Sequence, residues 1–142
     1  MALGDMEGTI RQGRAQIEIK FLNQGGSVVK SIDGLIDTGC SVDLLLESSL
    51  LADVVGAFRP SLGAGRFYIR GMGGLVRATS YTSQVIWFDD KPTRVLVAVP
   101  DKPGMPVTGN PPAPCMLLGG NLLFKNRVLF DYPNNKVFIQ KP

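Results

Sequence analysis

Between Ala15 and Leu22 the chain reads "AQIEIKFL", with apolar Ile17, Ile19 and Phe21 separated by polar or charged residues. A period of two sends alternate side chains to opposite faces and predicts a half-buried β-strand. "NQGG" turns the chain and "SVVKSIDGLID" runs extended again, so these segments form a predicted hairpin. The stretch "SVDLLLESSLLADVV" begins as a strand and continues as a short helical turn capped by Ser48 or Ser49. Further on, "RFYIRGMGGLVRATSYTSQVIWF" gives two β-rich arms around a glycine-rich tip, and "DDKP" turns into the strand "TRVLVAVP". Residues 101–114 hold five prolines and are expected to form an irregular loop. "CMLLGGNLLFKN" reads as a strand, a Gly-Gly break and one short helix; "RVLFDYPNNKVFIQKP" reads as strand, Asn-Asn turn and strand. The opening residues are polar and glycine-rich. They predict a mobile arm over 1–14 followed by one domain over 15–142, all-β with one short helix.

Composition narrows the class. At 142 residues the chain has room for one domain with a real core. An apolar content of 44% excludes a disordered chain, and 17 Gly with 10 Pro favour turns over long helices. No run approaches the roughly 20 apolar residues of a membrane helix. "MALGDMEGTIRQGR" lacks the apolar stretch of a signal peptide, so no membrane insertion is expected. The compartment is left open: a cytoplasmic-type chain, or a domain released from a longer precursor. The net charge of +3 comes from scattered cations, without the clustered Lys, Arg and aromatics of a nucleic-acid surface.

The absences shape the chemistry. The chain has no His, and its two thiols, Cys40 and Cys115, have no CxxC spacing. A zinc site, a Ser-His-Asp triad and a Cys-His dyad are therefore excluded, and no metal or cofactor is called for. Carboxylates are left to carry acid–base work. Asp37 stands out in "GLIDTGCSVDLLL", between an apolar pair and a small-residue turn, with Lys30 the nearest cation in sequence. A carboxylate buried there is costly unless it is paired or used.

"LIDTGCS" resembles the active-site motif of aspartic proteases. "FYIRGMGGLVRATSY" is similar to the flap hairpin of the retroviral enzymes, "APCMLLGGNLL" to their second signature, and "VLFDYPNNKVFIQ" to the closing strand pair of a pepsin lobe. The four matches fall in the family's order over most of residues 15–140. The chain thus resembles a retropepsin-like aspartic protease.

The resemblance implies a closed, β-barrel-like acid-protease fold, active as a homodimer on extended peptides. Only one Asp-Thr-Gly is present, so Asp37 would be a catalytic aspartate paired with Asp37 of a second copy. Thr38 would lock the two turns together, and the Gly39 carbonyl would receive a substrate N–H. Leu35, Cys40, Leu44, Cys115 and Leu117 would line apolar side-chain pockets; Ile69, Arg70, Gly71, Met72 and Gly73 would lie on the flap. The chain also departs from the family. Cys40 and Ser41 replace the usual Ala and acid, and Gly120 replaces the Arg that pairs with that acid, so both ends of an interface ion pair are absent together. The strand "KVFIQ" is the expected replacement at the dimer interface. Two other readings compete: a catalytically inactive peptide-binding or scaffolding module of the same fold, and a small β-barrel that binds nucleic acid. For Cys40 an inert packing role is expected over reactivity, and for Asp131 a role in the turn.

Overall fold

The chain enters its sheet earlier than its composition suggests. In the computed structural model, which describes residues 5–60, 66–71, 74–88, 91–102, 107–108, 113–114 and 116–141, strand β1 already spans Met6–Arg11. The predicted arm over 1–14 is corrected here. β1 lies between β2 (Arg14–Leu22) and the last strand of the chain. Its polar residues hide the strand because Ile10 alone is fully inward, 5% exposed, while its neighbours face out. Gly8 permits the close approach, since a Cβ there would overlap the Gln16 carbonyl oxygen. An ion pair between Lys136 and Glu7 at 2.7 Å fastens the outer side.

Next come β3 (Val28–Asp37) and β4 (Leu44–Leu46), then a 3-10 turn over Ser48–Leu50 and α1 (Leu51–Val54). The turn is capped by Glu47, whose carboxylate accepts the Ser49 N–H at 2.9 Å, rather than by Ser48 or Ser49. β5 (Arg59–Pro60), β6 (Arg66–Gly71), β7 (Gly74–Ile86) and β8 (Pro92–Pro100) follow. Within the proline-rich segment, β9 (Val107–Thr108) pairs with β10 (Ala113–Pro114), where only an irregular loop was expected. The chain ends with β11 (Met116–Gly119), α2 (Gly120–Leu123), β12 (Arg127–Asp131) and β13 (Lys136–Gln140).

Strand pairings run β2–β3–β11–β4–β8–β7, and β7 returns to β2 through Phe21–Val85 and Leu22–Gln84, closing a ring of six strands. Two contacts in the ring are parallel, β3 with β11 and β4 with β8. The period-two residues fill its inside: Ile17, Ile19 and Phe21 from β2, Val95, Val97 and Val99 from β8, Met116 and Leu118 from β11. Full burial of each such side chain stabilises by about 1.5–3 kcal/mol before entropy is counted. Phe58 bridges Phe21 and Tyr81 with ring centroids 5.5 Å apart on either side.

β13 also departs from expectation. It lies between β12 and β1 of its own chain, with Val137 and Ile139 at 0% exposure in the core. "KVFIQ" thus has no free edge to offer a partner. Among the described residues, the edge of this part of the sheet is β12. No helix among the described residues is long and apolar enough to cross a membrane.

Candidate functional site

The strand order sets the site. β11 lies between β3 and β4, parallel to the first (Leu117 beside Leu35, Gly119 beside Asp37) and antiparallel to the second (Leu118 beside Leu44). Residues 38–43, which join β3 to β4, must therefore arch over the end of β11. The Gly119–Gly120 pair makes room for that arch. A Cβ on Gly119 would overlap the Val42 carbonyl oxygen, and one on Gly120 would sit 2.8 Å from the Thr38 carbonyl oxygen. Freed of side chains, the two glycines become donors: Gly119 N–H bonds the Asp43 carbonyl at 2.8 Å and Gly120 N–H the Cys40 carbonyl at 2.7 Å.

Inside the arch, Cys40 N–H donates to the Asp37 carbonyl at 3.1 Å, and Gly39 N–H donates to Asp37 Oδ1 at 3.1 Å. This orients the Asp37 carboxylate from its own turn. Asp43 closes the other end. Its Oδ2 accepts the Leu96 N–H of β8 at 2.8 Å, and its Oδ1 accepts the side-chain amide of Asn121 on α2. One carboxylate thus ties the arch to a strand and a helix on either side.

Asp37 is half-buried and borders a cavity of about 340 Å³. Leu35 and Leu117 line the same cavity, as do Arg14, Phe130 and Tyr132. Thr38 and Gly39 are exposed at the turn, and Cys40 is half-buried behind it. Burial pushes the Cys40 thiol up from its ordinary value; a backbone hydrogen bond at Val42 opposes this in part, and the charge of Asp37 adds a lesser upward push.

Leu44 does not line this cavity. It is 0% exposed in the core, because in "LLL" all of β4 is buried between β11 and β8 and no alternation marks an outward face. On the β6–β7 hairpin, Ile69 is half-buried opposite Val76, and Arg70 and Gly71 pair with Leu75 and Gly74. Of the hairpin residues whose side chains are described, none lines the Asp37 cavity. Met72, Gly73 and Cys115 lie outside the described residues.

Four residues at the site escape a reading by motif: Asp43, Arg14, Phe130 and Tyr132. Asp43 carries one usable signal, an acid immediately before a wholly apolar strand. The others reach Asp37 from two remote hairpins and carry no local mark.

Comparison with protein-family models and with curated proteins returns no match for this chain. Chemically, the turn holds a single oriented carboxylate beside apolar walls. One such group exchanges one proton, and it cannot serve as base and acid in the same step.

Proposed function

We propose that the protein is an aspartic endopeptidase of retropepsin type, active as a homodimer in which each subunit contributes Asp37. The observation that carries this reading is the Asp37-Thr38-Gly39 turn, arched over Gly119–Gly120 with the Asp37 carboxylate oriented by the Gly39 N–H. A closed ring of strands with a long β6–β7 hairpin supports the same reading.

In the proposed mechanism a water lies between the two aspartates, which together hold one proton. The ionised carboxylate removes a proton from the water as its oxygen attacks the scissile carbonyl. The protonated carboxyl gives its proton to the carbonyl oxygen, leaving a tetrahedral diol. On collapse, the carboxyl that took the water's proton passes it to the leaving nitrogen and the C–N bond breaks. The other carboxylate takes a diol hydroxyl proton as the carbonyl re-forms, so the pair again holds one proton. Both charge states are used in one step, so the pH–rate profile belongs to the pair and is bell-shaped. Leu35 and Leu117 supply apolar walls for side chains of an extended peptide.

Incubation with a peptide library, followed by sequencing of the products, tests this directly. Cleavage blocked by a statine-type transition-state analogue supports the reading. A folded protein that binds peptides without cutting them would instead support the inactive module.

A further inference from the structure

We propose that the free edge of β12 is the docking surface for a second copy of this chain, with β12 laid antiparallel on β12 of the partner and Leu129 at the two-fold axis. The need for a second copy rests on the aspartic-dyad reading; the surface itself rests on β12.

Among the described residues β12 pairs with β13 on one side and ends the sheet on the other, so it presents a row of backbone donors and acceptors without a described strand to meet them. Monomeric proteins blunt such edges with lysines, prolines or bulges. β12 exposes apolar surface instead: Leu129 is 49% exposed, Phe130 38%, and Tyr132 just beyond it 58%. The rings of Phe130 and Tyr132 stack at 6.1 Å with 15° between their planes. Scattered exposed apolar residues are ordinary, but here the stacked rings of Phe130 and Tyr132 flank the edge on one face and Leu129 stands exposed on the other.

Charge selects the occupant. β12 reads "RVLFD". Antiparallel pairing centred on Leu129 sets Arg127 opposite the partner's Asp131 and Val128 opposite the partner's Phe130, each pair occurring twice by symmetry. Centring on Val128 would set Arg127 against an apolar Leu129, and centring on Phe130 would set Leu129 against Asp131. Only the Leu129 register matches both charges. Within its own chain, Arg127 stands opposite uncharged Gln140 and gains no ion pair from that register position. Asp131 stands opposite Lys136 and accepts the Asn134 side-chain amide at 2.8 Å through Oδ2. Five residues that complement themselves when reversed favour a copy of this chain over a foreign strand. The position fits as well, since Phe130 and Tyr132 border the cavity that holds Asp37.

Arg127→Asp and Asp131→Arg chains, made separately, should each dimerise more weakly than wild type by about tenfold in sedimentation equilibrium, because both cross-strand pairs become like-charged. An equal mixture should recover near wild-type affinity, since the mixed dimer restores both opposite-charge pairs. If Asp131→Arg fails to fold, Leu129→Glu sets two like charges on the axis and should leave a folded monomer by circular dichroism and sedimentation. Variants that dimerise like wild type, or a mixture no tighter than its components, would overturn the β12 surface. Peptide cleavage assayed alongside separates the two claims. A peptide-cleaving dimer indifferent to these changes removes β12 and keeps the dyad, whereas a wild-type monomer that cleaves peptide at full rate removes the dyad as well.

Discussion

Asp43 and Asn121 are joined side chain to side chain across the arch that carries Asp37, with the second Asp43 oxygen held by the Leu96 N–H at 2.8 Å. The arch has no regular structure of its own, so its shape depends on such ties. Asp43→Ala removes two of them and leaves the half-buried Leu96 N–H without its acceptor. The expected cost is about 1–3 kcal/mol of stability, read as a lower denaturant midpoint with unchanged slope. Peptide turnover should fall further than the loss of folded protein explains, through kcat more than KM. Asn121→Ala, which removes one tie, should do less. Equal kcat for wild type and Asp43→Ala would show that the arch keeps its shape without this carboxylate.

Gly119 offers a harsher test of the same geometry. A methyl group there meets backbone, the Val42 carbonyl, which cannot swing aside as a flexible side chain could. Gly119→Ala should therefore cost more than Gly120→Ala, whose nearest neighbour stands at 2.8 Å. Overpacking of this kind costs about 1–3 kcal/mol, and more where backbone must move. Thermal melts of the two variants decide it, and the reverse order would count against the packing described.

Much of the sheet was legible in the sequence because period-two alternation in β2, β8 and β13 reports one buried face directly. Where alternation failed, so did the reading. The run Leu44–Leu46 is buried throughout, so nothing in it distinguished core from pocket and Leu44 was misplaced. β1 carries one strongly inward residue, Ile10, and so looked like an arm. The parallel pairing of Leu35 with Leu117 links positions far apart in the chain and leaves no local pattern. The Asp37 turn was visible because its small residues are needed locally. Arg14, Phe130 and Tyr132 were not, because closure of the sheet brings them there.

Asp37→Asn should fold as well as wild type. Asp37 is half-buried, and an asparagine oxygen can still accept the Gly39 N–H that orients the carboxylate. The amide cannot take a proton from water, so peptide cleavage should drop by at least about a hundredfold. Matched melting curves with near-normal turnover would exclude Asp37 as a reacting group.

The last seven residues carry a prediction that differs from a purely interfacial role. Deleting 136–142 removes Val137 and Ile139, both fully buried, at about 1.5–3 kcal/mol each. It also strips the strand that pairs β1 and β12. The truncated chain should lose its cooperative melt rather than persist as a folded monomer. A truncated chain with native circular dichroism would show that β13 is dispensable to the core.

Cys40 supplies the pH-dependent test. Burial raises its thiol above the ordinary 9.0, and the Asp37 charge pushes the same way against the Val42 hydrogen bond. The folded state therefore holds the proton more tightly than the unfolded chain. The resulting stabilisation is fully present below pH 9.0 and is lost as pH rises through the elevated folded value. In a Cys115→Ser background, alkylation of Cys40 by iodoacetamide should be slow at neutral pH, with a midpoint above that of the unfolded chain. Adding Asp37→Asn removes one of the two raising causes and should shift the midpoint downward without abolishing the effect of burial. A midpoint at or below 9.0 in the folded protein would show that Cys40 is solvated rather than packed behind the Asp37 turn.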